Sequence, residues 1–242
     1  MPRRVDHDDR RAEIAELAAA LIAEHGPDAL SLRSLAAAAG SSTTAVTHYF
    51  ASKKELLLHA YRAAVGRARA RVAAIPAGEV DELRACLEAV LPIDTARRQD
   101  WRTWLAFFGA AVGDEELSSL QRRRVAEFRR ALRGIIEAQW QNEAAPGPSG
   151  AVRETVPGSP AAARKRIQAQ PQQPSSAGRA VGDRGAEAER QARLLLALVH
   201  GIATEAAFDP EDWPAERQLA MIEEQLQSIR SARAPAAGAI ER

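Results

Sequence analysis

Cysteine is all but missing from this chain: there is one in 242 residues, Cys86. A lone cysteine excludes an intrachain disulfide framework. Its neighbours Leu83, Leu87 and Val90 place it on an apolar face as a small buried hydrophobe, with a redox sensor as the minor alternative. Aromatics are scarce at 5%, and no apolar run approaches the ~20 residues that a membrane span needs. The N-terminus is charged where a secretory signal would have its apolar core, so a cytoplasmic location is expected. The formal charge is only +1, so composition does not point to nucleic acid and any such surface has to be a local patch. The histidines, His7, His25, His48, His59 and His200, lack metal-ligand spacing. No phosphate-cradling loop, nucleophile elbow or zinc motif occurs. Neither metal nor cofactor is expected, and catalysis is the remotest reading.

What the chain does have is alanine, with glycine and proline as punctuation. That combination favours an all-α protein, because alanine is the best helix former and poor in strands. The most informative stretch is Leu32 to Leu57. Leu32, Leu35, Ala36 and Ala39 recur at helical spacing, and Gly40 stops that helix where a left-handed backbone is cheapest. Ser41 and Ser42 are cap candidates for a second helix over Thr43 to Tyr49, whose Val46 and Phe50 turn to the core beside Ala45. Two short helices across a glycine turn make a helix-turn-helix, and the second is the one expected in a major groove. Its polar residues Thr43, Thr44, Thr47 and His48 are candidates near bases or phosphates, with Ser42, Arg33 and Tyr49 beside them. Ser52 and Glu55 read as a capping box for a further helix. Lys53, in its first turn, is placed badly for the helix dipole and well for a phosphate.

An earlier helix, Asp9 to His25, carries Ile14, Leu17, Ala18, Leu21 and Ile22 on one side and completes a three-helix core, preceded by a loose arm over residues 1–7. Arg11, early in it, is a candidate for a backbone phosphate. The domain reading is therefore 1–52 for the DNA-binding head, 53–75 for a long connecting helix and 76–233 for a ligand-binding and dimerisation body. A tail over 234–242 follows, and about nine helices are expected in all. Arg62, Arg67, Arg69 and Arg71 on the connecting helix read as a solvated face. The stretch 142–185 holds six prolines and six glycines with almost no large apolar residue, so it is expected to interrupt the body as a disordered insertion.

In the body, Trp101, Trp104, Phe107 and Phe108 concentrate the aromatics on one helix. They form either interhelical packing or an aromatic wall for a small-molecule effector among the fifth to eighth helices, and Phe128 and His200 are further candidates for that wall. Leu194, Leu198, Gly201 and Ile202 on the eighth helix, with Leu219, Ile222 and Leu226 on the ninth, suit a four-helix homodimer seam. The competing reading is that both helices complete the monomer core.

Residues 10 to 60 resemble the DNA-binding domain of the TetR family of bacterial transcriptional regulators. The residues that carry this are Ser31, Leu32, Leu35, Ala36, Ala39, Gly40, Ser42, Phe50, Ser52, Lys53 and Leu56, in order and in register. Ser41 stands where the family often has valine. Thr47 stands where it often has a phosphate-contacting tyrosine. The run WRTWLAFFGAAVGDEEL, within Arg97 to Ile136, resembles the body of the BetI-type branch. The resemblance implies a ligand-responsive repressor that binds a palindromic double-stranded DNA operator as a homodimer. The alternatives are an activator of the same fold and a helical interaction protein with weakened DNA binding.

Overall fold

In the computed structural model, residues 3–76, 79, 81–144 and 176–231 are described. They are all-α, with nine α-helices among the described residues. These are α1 (Arg3–His25), α2 (Leu32–Ala38), α3 (Thr43–Thr47), α4 (Lys53–Ala73), α5 (Glu82–Val90), α6 (Thr95–Val112), α7 (Glu115–Ala144), α8 (Ser176–Phe208) and α9 (Ala215–Ser231), with a 3-10 turn at Pro27–Ala29. No described helix is long and apolar enough to cross a membrane.

Helix ends follow local chemistry. Ser31 and Ser34 cap α2 reciprocally, and Ser42, Ser52, Asp81 and Asp94 each accept an amide hydrogen at the start of their helix. Glu55 reaches back one residue further than a standard capping box, to the Ala51 amide at 2.8 Å. Two boundaries differ from expectation. The arm expected over residues 1–7 is helical from Arg3. The stretch expected to be disordered from 142 is helical to Ala144 and again from Ser176, because long flanking helices extend into it; its middle and the expected tail lie outside the described residues.

Two cores organise the molecule. The first joins Ile14, Ala18 and Ile22 of α1 to Leu35, Val46, Phe50, Leu56 and Tyr61, and runs on into the body through Phe107, Ala111 and Leu117. The second gathers Leu83 and Leu87 of α5, Trp101, Leu132 and Ile136, and the inner faces of α8 and α9. Helix α6 lies between them and belongs to both. It is fastened to α1 by Arg102, which donates to the Ala23 carbonyl at 3.0 Å, and by the buried Thr103, which donates to the Ala19 carbonyl at 3.3 Å. The buried Gln218 at the start of α9 is half satisfied: its amide nitrogen donates to the Trp213 carbonyl at 2.9 Å, while its Oε1 has no partner among the described residues.

Candidate functional site

The turn between α2 and α3 is built as its sequence requires. Gly40 has φ of 59°, and the Ser41 amide closes onto the Ala36 carbonyl at 2.9 Å, the long bond of a Schellman ending. Helix α3 is shorter than expected, ending at Thr47 rather than Tyr49. Val46 and Phe50 anchor it in the core, while Ala45, expected beside them, is exposed. Arg33, Ser42, Thr43, Thr44, Thr47 and His48 all stand exposed, with Tyr49 half-buried. The Thr47 hydroxyl donates to the Thr44 carbonyl at 2.9 Å, which leaves its lone pairs outward. His7 of α1 packs on this face, its ring 4.6 Å from Tyr49 and 5.6 Å from His48, a contribution that α3 read alone does not reveal.

The two lysines that open α4 have different fates. Lys53 is exposed, with a carboxylate of Asp28 only at the 4.0 Å limit. Lys54 is held by Asp114 at 2.7 Å and Glu116 at 2.8 Å, which raises its pKa and lowers that of Asp114. Arg11, a candidate for a phosphate, is instead engaged within the head: it pairs with Glu55 and lies over the Phe50 ring at 5.2 Å.

The body holds a partly open cavity of about 530 Å³ between α4, α5, α6, α7 and α8. Trp101, Trp104, Phe108, Phe128 and His200 line it, together with Tyr61, Cys86, Gln121, Arg124 and Glu127. Phe107, expected on this wall, is elsewhere. It is fully buried in the head core and stacked on Tyr61 at 3.8 Å, because α6 turns that ring toward α1 and α4. Val112, at the end of α6, is 91% exposed. Helix α4 is a wall of the cavity and not only a connector. Its arginines are not a simple solvated face either: Arg67 and Arg71 grip the buried Asp100, and Arg69 reaches Glu127 at 2.8 Å.

Most polar groups around the cavity are satisfied. The Trp101 indole donates to the Val90 carbonyl at 2.7 Å. The Tyr61 hydroxyl donates to Gln121 at 2.8 Å, and burial pushes its pKa up to about 12. Burial also raises the Cys86 thiol, as suits a small hydrophobe. Burial lowers the pKa of His200 despite its bond to the Leu196 carbonyl. Among the described residues, no group of three or more histidine, cysteine or carboxylate side chains is placed to hold a metal. Of the residues expected at a subunit seam, Ile202, Ile222 and Leu226 are buried in the protomer's own second core. Leu198 and Leu219 are half-buried, and Leu194 and Gly201 are exposed.

Comparison with known proteins follows the same division. The profile described as "Bacterial regulatory proteins, tetR family" matches residues 14–60, and the profile "BetI-type transcriptional repressor, C-terminal" matches 79–156 and 160–231. The chain is 30% identical over 110 residues to the transcriptional regulator PksA of Bacillus subtilis, covering 44% of this chain and 54% of that protein. It is 29% identical over 130 residues to the regulator BetI of Rhizobium meliloti, covering 52% and 62%. The chain thus spans little more than half the length of these relatives. A transcriptional regulator from Rhodococcus sp. superposes with a TM-score of 0.69 at 24% identity, over 92% of this chain and 96% of that one. A regulator from Saccharomonospora viridis, solved in complex with choline, superposes with a TM-score of 0.64 at 18% identity, over 91% and 96%. With family profiles running through both head and body, the chain belongs to the TetR family of bacterial regulatory proteins, with a body of the BetI-type repressor class.

Proposed function

We propose that this protein is a homodimeric repressor that reads a palindromic operator through α3 and releases it when a small molecule fills the body cavity. The observation that carries the reading is the placement of α4. Its first turn follows the exposed face of α3, with Lys53 at the start, and its middle walls the cavity through Tyr61, Val65 and Val72. Any ligand that packs against α4 thereby acts on the element that orients the reading head. Linkage then makes ligand and operator compete, because each favours its own arrangement of the same helix. Thr43, Thr44, Thr47 and His48 supply hydrogen-bonding groups and threonine methyls for base edges, while Ser42, Tyr49, Lys53 and Arg33 hold phosphates. Two heads are needed because one three-helix head reads too few bases.

The test is selection of bound duplexes from a random pool, followed by titration of wild type and of a Thr47→Ala, His48→Ala double variant on the enriched sequence. The expected result is a two-fold symmetric motif, with the variant, still helical by circular dichroism, bound at least about tenfold more weakly, as for the loss of one or two base contacts. Lys53→Ala should weaken all sequences alike and flatten the salt dependence. No enrichment even at low salt would overturn the reading.

A further inference from the structure

The cavity's walls specify more than an apolar guest. Its volume of about 530 Å³ suits a ligand of drug size, and most of its surface is Trp, Phe, Val, Leu and Ala. Charge inside it is already balanced. Glu127 is held by Arg69 at 2.8 Å and by Arg124 at 3.1 Å, and Glu82 is exposed. A cationic guest would therefore have to compete with two arginines for Glu127 or rely on the solvent-exposed Glu82, and an anionic one would have to break an existing pair.

Among the described residues, one histidine nitrogen on the wall has no partner. His200 contacts the Leu196 carbonyl through Nδ1 at 2.8 Å. A carbonyl only accepts, so the proton is on Nδ1. The imidazole is neutral at pH 7, since burial lowers its pKa. Nε2 is then a lone-pair acceptor, in an aromatic setting with Trp101 at 5.7 Å and Phe108 at 5.9 Å between ring centroids. Trp104 presents its ring to the same space, while its Nε1 is buried out of a guest's reach. An acceptor beside an apolar space calls for a guest that carries an uncharged hydrogen-bond donor, and a hydroxyl is a compact one.

We propose that the cavity takes an uncharged, bulky, mainly aromatic or polycyclic molecule bearing a hydroxyl, which donates its hydrogen to Nε2 of His200. This rests on the cavity being the effector site and adds the chemical class of the effector. His200 is the specificity residue: it rejects a guest of the same shape that lacks a donor, because burying Nε2 unpaired costs the desolvation of that lone pair.

The experiment is calorimetric titration of the full chain with three probes of one shape: 2-naphthol, its methyl ether, and the 2-naphthyl trimethylammonium ion. The methyl ether keeps the ring and the oxygen but loses the donor. 2-Naphthol should saturate at one per protomer and bind at least about tenfold more tightly than the ether, the usual size of one buried hydrogen bond. In His200→Phe the two should bind within about twofold of each other, and in His200→Gln, which keeps an acceptor, part of the preference should return. If the ether or the cation binds as well as the naphthol, or if His200→Phe keeps the preference, the hydroxyl assignment falls while the cavity remains a ligand site. If none of the three saturates, the assignment and the effector-site reading fall together.

Discussion

Asp100 has no surface open to water, and it is the one carboxylate that the body buries completely among the described residues. Both of its oxygens are used. Arg67 donates to one at 2.8 Å and 2.6 Å, and Arg71 to the other at 2.9 Å. Arg71 also donates to the Ala89 carbonyl of α5, and Arg67 pairs with Glu16 of α1. One side chain of α6 thus ties together the connecting helix, the head and the cavity, since Trp101 follows it directly. Asp100→Asn keeps the shape but leaves two guanidinium groups facing a neutral amide. Breaking a buried pair from one side costs about 3 kcal/mol or more, so the midpoint of urea unfolding should fall markedly, with little change in slope. A midpoint within error of wild type would show that the clamp is not a net support. His200 gives a second prediction at this scale, one of pH. Its folded pKa is below the unfolded value of 6.5. The unfolded chain therefore takes up a proton that the native state refuses, and stability drains away as pH falls through 6.5. Above that value both states are neutral and the contribution is flat. His200→Phe should lose this part of the pH dependence, seen as a smaller drop in melting temperature between pH 7.5 and pH 5.5.

At the scale of elements, the head depends on two endings. The left-handed Gly40 turns α2 into α3, and a Cβ added there meets nothing within 4 Å. The penalty of Gly40→Ala is then backbone strain alone, about 1 kcal/mol, and thermal unfolding should show it as a small, clean loss. Ser52→Ala removes the cap of α4 and should cost about 1 kcal/mol as well. Both endings were legible in the sequence because capping and left-handed glycine are local chemistry. So were the faces of α1 and α2, each of which buries one side only. Helix α6 was not. It is covered by the head core on one side and the second core on the other, so its periodicity announces burial without saying which ring faces which core. Phe107 and Phe108 are neighbours in sequence, yet one stacks on Tyr61 in the head and the other lines the cavity. The arginines of α4 misled for the opposite reason. A spacing of four on a long helix is what a wet face shows, and only the fold brings Asp100 beneath Arg67 and Arg71. The extension of α8 back to Ser176 is likewise not legible in the sequence, since Gly178, Gly182 and Gly185 argue locally against a helix.

On the scale of the whole molecule, α8 divides its residues between two destinations. Ala192, Leu195, Val199 and Ile202 turn inward and complete the protomer. Leu194, Gly201 and Phe208 recur at intervals of seven on the other side and are exposed, Phe208 by 81%. With the half-exposed Leu198 they form an apolar stripe that the described residues of one protomer leave uncovered, and Met221 of α9 is exposed in the same pair of helices. In the dimer proposed above, this stripe is the part of α8 that meets its partner, and Gly201 is where two backbones can approach. The substitution Gly201→Arg separates fold from assembly by the sign of its effects. Within the protomer it replaces a poor helix former, and a Cβ at 201 meets nothing within 4 Å, so the monomer should gain about 0.5–1 kcal/mol. Across a seam it places a long charged chain where close packing is needed, so sedimentation should show a monomer at concentrations where wild type is dimeric. Operator affinity should fall with it, because the second head is then no longer held at a high effective concentration beside its half-site. A variant that stays dimeric and binds the operator as wild type does would place the seam on another face and leave the exposed stripe of α8 without that role.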